Sequence, residues 1–267
     1  MPLDVTELRS FYASPLGAAA RRVLASLIAA RWESYVGLSV LGLGYALPYL
    51  EAGRAQAMRS MAFFPASLGA VGWPHNGDSA ASLVEPDLLP LPDACIDRAL
   101  VVHCLEAAEN PRLALEEIWR VLTPQGRVIV IVPSRRGIWA RVDGTPFGQG
   151  QPFSRAQLRG MLRDTLFSPL HEDEALYMPP LSRRPVLRFA KTFERVGKAL
   201  ALPGAGVIAA EATKQLYRPV LARRGFDLSA ARVLRPRLLP APGTRVTAAV
   251  AETPLARRTY STPTRAR

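Results

Sequence analysis

The sequence predicts an α/β protein: a doubly wound, mostly parallel sheet of about seven strands, followed by a basic C-terminal extension. Three observations point there. The block from Cys95 to Pro133 reads strand, helix, tight turn, strand, the order of a right-handed crossover between parallel strands. Short apolar runs bounded by glycine or proline alternate with segments of helical spacing along most of the chain. And 267 residues, 49% of them hydrophobic and 21% charged, suffice for a core of that size.

Taken in order, apolar residues recur at helical spacing from Leu16 to Trp32, with a break near Pro15. Val36 to Leu43 is a short apolar run suited to a buried strand. LPYLEAGRAQA follows as a helix, with proline tolerated in its first turn. SMAFFPA reads as the second strand, ending at Pro65, and a short strand is expected at Ala81 to Val84 after a loop-rich stretch. CIDRALVVHCLEA is a strand ending near His103. NPRLALEEIWRVL is an amphipathic helix opened by Asn110-Pro111, with Leu113, Leu115, Ile118, Val121 and Leu122 toward the core. A turn at TPQG leads to a buried strand from Arg127 to Val132. Ser154 is positioned as the N-cap of the next helix. LFSPLHEDEALYM holds a strand, RPVLRFAKTFERVGKAL a basic amphipathic helix, and GAGVIAAEATKQ the last strand.

The charge is uneven. The net charge is +12, yet from Arg218 onward eleven arginines face only Asp227 and Glu252. Residues 1–217 therefore read as an α/β domain of ordinary charge. Residues 218–267 read as an Arg/Pro-rich, largely disordered tail, a candidate contact for RNA or an anionic membrane. Only three lysines occur, so the positive charge is almost all arginine, as in proteins from GC-rich genomes. Two cysteines make no disulfide framework or metal cluster, which implies a reducing cytoplasm. The polar N-terminus, MPLDVTELRS, predicts no signal peptide. The longest apolar run, Tyr35 to Leu50, contains three glycines and a proline and is too short to span a bilayer.

The stretch VLGLGYALPYLEA places glycines where an apolar strand meets a helix, a junction that lets a ligand approach the backbone closely. His103 falls at the C-terminal end of a central strand, where open α/β sheets bind ligands. It is the candidate base or substrate contact, against the plainer reading of a packed, hydrogen-bonded histidine. Asp93 is expected to shape the turn of its LPDA segment. The sequence shows no metal-ligand spacing, nucleophile elbow or phosphate loop, so no metal is expected.

The block EPDLLPLPDACIDRALVVHCLEAAENPRLALEEIWRVLTPQGRVIVIVP carries a longer pattern. An acid precedes an LPxPD turn, a strand ends in histidine followed by Leu-Glu, a helix ends in Arg-Val-Leu, and the next strand ends in proline. The pattern resembles the middle of class I S-adenosylmethionine-dependent methyltransferases, the small-molecule, type 11-like kind with a Rossmann-like sheet. It covers Tyr35 to Pro133 closely and extends more loosely to Gln215. The resemblance implies S-adenosylmethionine as cofactor, with Gly42, Gly44, Tyr45, Ala46, Glu85 and Asp87 around it. Glu85 would face the adenine amino group. The family's first-strand acid falls on Gly42, its small positions on Gly44, Ala46 and Pro48, and the acid it carries after the second strand has no counterpart in AFFPAS. Two missing acceptors would weaken cofactor binding by about 1.5–3 kcal/mol per hydrogen bond unless other groups replace them.

In this fold the loop DGTPFGQGQPFS would lie over the substrate, which makes Asp143, Phe147, Gln149 and Phe153 candidate contacts; loop packing is the alternative. The leading function is methyl transfer to a small-molecule acceptor. The competing one is a methyltransferase-fold protein without catalysis that serves as a binding or regulatory module, as the missing acids suggest.

Overall fold

The computed structural model describes residues 3–74, 76–200 and 202–216. The Arg/Pro-rich tail, and with it the expected RNA or lipid contact, lies outside the described residues. Seven strands form one sheet in the order β3-β2-β1-β4-β5-β7-β6. They are β1 (Ser39–Gly44), β2 (Arg59–Pro65), β3 (Ala81–Val84), β4 (Ile96–Val102), β5 (Leu122–Pro133), β6 (Phe167–Ala175) and β7 (Val207–Lys214). The first five run parallel, and β7 lies antiparallel between β5 and β6. This is the expected mostly parallel, doubly wound sheet.

Alternation of side chains divides the strands between two cores, so both faces are buried and the strands read as continuous apolar runs. Val40, Leu100, Val102, Ile129 and Ile131 pack against the N-terminal helices α1 (Val5–Ala13) and α2 (Pro15–Arg31). Leu41, Leu43, Ala99, Val101, Val128 and Val130 pack against α4 (Pro111–Val121) and α5 (Arg155–Asp164). Between these come α3 (Leu47–Arg54), and after β6 the short α6 (Arg184–Arg188) and α7 (Ala190–Ala199).

Local chemistry explains most boundaries. The Asn110 side chain accepts from the Leu113 N–H, and Pro111 occupies the first turn of α4. Ser154 caps α5 as expected, and Gln157 reciprocates to close a capping box. In α4 the buried face is Ala114, Leu115, Ile118 and Val121; burying each of Leu115 and Ile118 contributes about 1.5–3 kcal/mol. Leu113, expected in the core, is instead 41% exposed, because Ala114 takes the inward position one residue on.

Other expectations shift. The segment before Leu16 is also helical, and Ser14 ends α1 and caps α2. TPQG is not a separate turn: β5 already begins at Leu122, which pairs with Ile96 ahead of an irregularity in the ladder. The basic helix after Arg183 is two helices, joined at Phe189. No described helix is long and apolar enough to cross a membrane.

Candidate functional site

Strand order reverses between β1 and β4, and that crevice is where open α/β sheets hold ligands. Its floor is the β1–α3 loop. Gly44 adopts a φ of +81°, and a Cβ there would lie 2.2 Å from the Val102 carbonyl oxygen. The next residue, Tyr45, donates its N–H to that same carbonyl at 2.7 Å. Gly42, where the resemblance calls for an acid, is a packing position: its Cβ would meet the Leu50 side chain at 2.5 Å and the Ala46 Cβ at 2.8 Å. Ala46 is buried beneath the start of α3. An acid at 42 has no room while α3 sits this close.

Tyr12 of α1 lies above that floor. Its ring stacks on Tyr45 at 5.5 Å and meets Tyr49 and His103 edge-on. Tyr49 Oη donates to Tyr12 Oη at 3.2 Å, and Tyr12 Oη lies 2.9 Å from His103 Nε2. On the other side of the ring, His103 Nδ1 lies 3.1 Å from Glu106 Oε1. One pattern satisfies the whole chain: Tyr49 donates to Tyr12, Tyr12 to Nε2, and Nδ1–H to the carboxylate. Burial raises the Tyr12 and Tyr49 hydroxyls well above the usual tyrosine range, so both remain donors. His103 has φ +53°, the left-handed region, where a side chain other than glycine is held at a cost and which recurs at functional sites.

Two cavities open beside this chain. The larger, about 400 Å³, has Glu85, Asp87, Pro65, Ser67, Cys104 and Asn110 in its walls. The second, about 260 Å³, is bounded by Pro65, Ser67, Leu68, His103, Glu106 and Gln149. They share Pro65, Ser67 and Ala107 in their walls and lie side by side past the ends of β2 and β4, and together are called the trough. Two buried acceptors on residues lining the second cavity have no hydrogen-bond partner among the described residues: Glu106 Oε2 and Gln149 Oε1.

The loop bearing Glu85 and Asp87 is held by Arg120 of α4. Its guanidinium donates to the carbonyls of Leu91 (2.8 Å) and Leu89 (3.0 Å), to Asp93 (2.6 Å) and to Glu117 (2.9 Å). Glu117 in turn accepts the Leu89 N–H at 3.0 Å. The LPxPD turn and the Arg-Val-Leu helix end, separate motifs in the sequence, are thus two halves of one clamp, and Asp93 belongs to it.

The structure brings some of the expected residues together at the two cavities and places others elsewhere. Glu85 and Asp87 line the larger cavity and His103 and Gln149 the smaller. Phe147 packs its ring 4.8 Å from His103 and is itself buried. Asp143 is exposed on the loop and is not among the residues lining either cavity. Phe153 belongs to the core on the opposite face, its N–H bonded to the Pro133 carbonyl. Gly42, Gly44, Tyr45 and Ala46 build the floor beneath Tyr12 and line neither cavity. Sequence reasoning missed Tyr12, Tyr49 and the free oxygen of Glu106. Only the three-residue spacing of His103 and Glu106 could have suggested the last.

With this geometry in hand, the comparisons are specific. Residues 71–130 match the family model described as a methyltransferase domain. The fold is that of the class I S-adenosylmethionine-dependent methyltransferases. Solved structures of this methyltransferase fold extend the match over most of the chain. A possible histamine N-methyltransferase from Thermotoga maritima is 15% identical, aligned over 79% of this chain and 96% of that one with a TM-score of 0.55. A SAM-dependent methyltransferase from Archaeoglobus fulgidus is also 15% identical, with 73% and 94% covered and a TM-score of 0.53. The [4+2]-cyclase SpnF is 22% identical, with 74% and 82% covered and a TM-score of 0.53. That cyclase shows why the fold alone does not name a reaction. No curated protein matches the sequence.

One prediction arises directly from the buried chain. Tyr12→Phe keeps the ring but strands His103 Nε2 and the Tyr49 hydroxyl. The expected cost is about 1–3 kcal/mol, read as a drop of roughly 3–10 °C in melting temperature. An unchanged melting temperature would show that the hydroxyl chain contributes nothing to holding α1 down.

Proposed function

We propose that this methyltransferase-fold protein binds S-adenosylmethionine in the trough and methylates a small-molecule acceptor. The observation that carries this reading is the trough itself, which lies past the ends of β2 and β4 beside the switch point, with two carboxylates at one end and hydrogen-bond acceptors at the other. The residues present fit an adenosine-like group. Glu85 and Asp87 offer acceptors for an exocyclic amino group, and Pro65 and Ser67 wall the middle. Bound there, the cofactor supplies a methyl group already activated on a sulfonium, so the protein's work is alignment and exclusion of water. Pro65, Leu68 and Ala107 supply an apolar wall, and Tyr12, Tyr45 and Phe147 pack behind it around His103. Both ring nitrogens of His103 are hydrogen-bonded, so we assign it the orientation of Tyr12 and Glu106 rather than the role of base. The small second cavity favours a compact acceptor, and the free thiols Cys95 and Cys104 suit a cytoplasmic setting.

The second reading, a binding module without catalysis, has its own support: Gly42 and Pro65 stand where acids would hold the cofactor, and aromatic rings cover the β1 loop. Calorimetry with S-adenosylmethionine and S-adenosylhomocysteine separates the two. The enzyme reading expects saturable binding of both below millimolar concentration. No detectable binding at millimolar ligand would overturn it in favour of the second.

A further inference from the structure

We propose that Glu106, together with Gln149, replaces the missing strand-end acids as the anchor for hydrogen-bond donors of the cofactor. The inference rests on the cofactor reading above and assigns it residues that neither the strand-end pattern nor the glycine loop contains.

The Glu106 side chain is only 1% exposed, and one of its oxygens is committed to His103. The other, Oε2, is buried and has no hydrogen-bond partner among the described residues. A buried carboxylate oxygen left in that state is costly, and a ligand that donates to it recovers the cost. Gln149 Oε1 is in the same condition, and both residues line the same 260 Å³ cavity. Two unpartnered buried acceptors on residues that line one cavity select a group rich in N–H or O–H donors. They select against an anion.

The position matches the deficit. This cavity is also lined by Pro65, which ends β2, and by Ser67 and Leu68 just after it, where the expected acid is absent. The same Pro65 and Ser67 continue into the cavity that holds Glu85 and Asp87. A nucleoside with its base in the larger cavity therefore extends toward Glu106.

The anchor is also built to stay in place. His103 orients the carboxylate and is itself fixed by Tyr12 and Tyr49. From the other side, the Gln151 N–H donates to the Glu106 carbonyl at 2.8 Å. Gly150, at φ +76°, lies so close that a Cβ would be 2.4 Å from that carbonyl oxygen. Packing of this kind holds binding groups at productive geometry before the ligand arrives.

The donors could be the ribose hydroxyls or the α-ammonium, and the test distinguishes them. Calorimetry compares the full-length wild type, Glu106→Gln and Gln149→Ala, using S-adenosylhomocysteine and methylthioadenosine, which keeps the ribose and lacks the amino-acid end. Circular dichroism and melting temperature confirm that the variants are folded; Glu106→Asp substitutes if the glutamine variant is not. We expect Glu106→Gln to weaken S-adenosylhomocysteine by about 30-fold and Gln149→Ala by about 5-fold. An equal loss for methylthioadenosine places the anchor on the ribose, and a loss confined to S-adenosylhomocysteine places it on the ammonium. Unchanged affinity for both ligands in a folded Glu106→Gln protein overturns the proposal and leaves the cofactor reading standing. A wild type that binds neither ligand overturns the cofactor reading itself.

Discussion

Arg120→Ala is expected to lower the unfolding free energy by about 2–4 kcal/mol and the melting temperature by roughly 10 °C. The guanidinium bonds two backbone carbonyls and two carboxylates, and its removal leaves Glu117, mostly buried, without its cation. Breaking one half of a partly buried pair costs more than the pair contributes, because the remaining charge keeps its desolvation penalty. The same change frees the loop that carries Glu85 and Asp87, so ligand affinity should fall with stability. Denaturant titration and calorimetry on one preparation test both effects, and a variant of wild-type stability would refute the clamp. Acid should act in the same direction. The Arg120 hydrogen bonds hold the Glu117 carboxyl below its ordinary value of 4.5. Its contribution to stability is therefore complete above that value and is lost as pH falls through the depressed one. Glu117→Gln should flatten that part of the pH–stability curve.

Gly44→Ala should be at least as damaging, about 4 kcal/mol, although it adds a single methyl. At φ +81° a side chain is strained whatever the space, and here the new Cβ also meets the Val102 carbonyl and the Cys104 Cβ at 2.2 and 2.9 Å. Neither neighbour is the end of a flexible chain. The substitution should force β1 and β4 apart at the switch point, and a fall of more than 8 °C in melting temperature is the expected readout. Gly144→Ala is the control, since a Cβ there meets nothing within 4 Å. Equal stability of the two variants would show that the close approach of β1 to β4 is not needed.

These two residues mark how far the sequence could be read. Arg120 sits in an Arg-Val-Leu motif whose position was plain, but its partners in the LPxPD turn lie about thirty residues earlier, and no periodicity connects them. Gly44 was read as a ligand-facing glycine because glycine at a strand–helix junction serves ligands and close packing alike. The contact with Val102 shows the packing role. Gly42 is the sharper case. As a sequence position it looked like a lost acid; in the fold it is the space that lets α3 pack on β1.

The sequence by itself determined the order of the seven strands, the caps at Asn110 and Ser154, and the membership of the sheet. Each of these depends on side-chain periodicity or on hydrogen bonds a few residues apart. Only the tertiary structure decided what occupies the end of the sheet. Tyr12 reaches His103 across 91 residues of chain, and the cavity that joins the end of β2 to Glu106 forms only where Leu3, two strand ends and the Gln149 loop converge. Such contacts carry no local signature, because each partner's environment is set by how separate elements dock rather than by its neighbours in the chain.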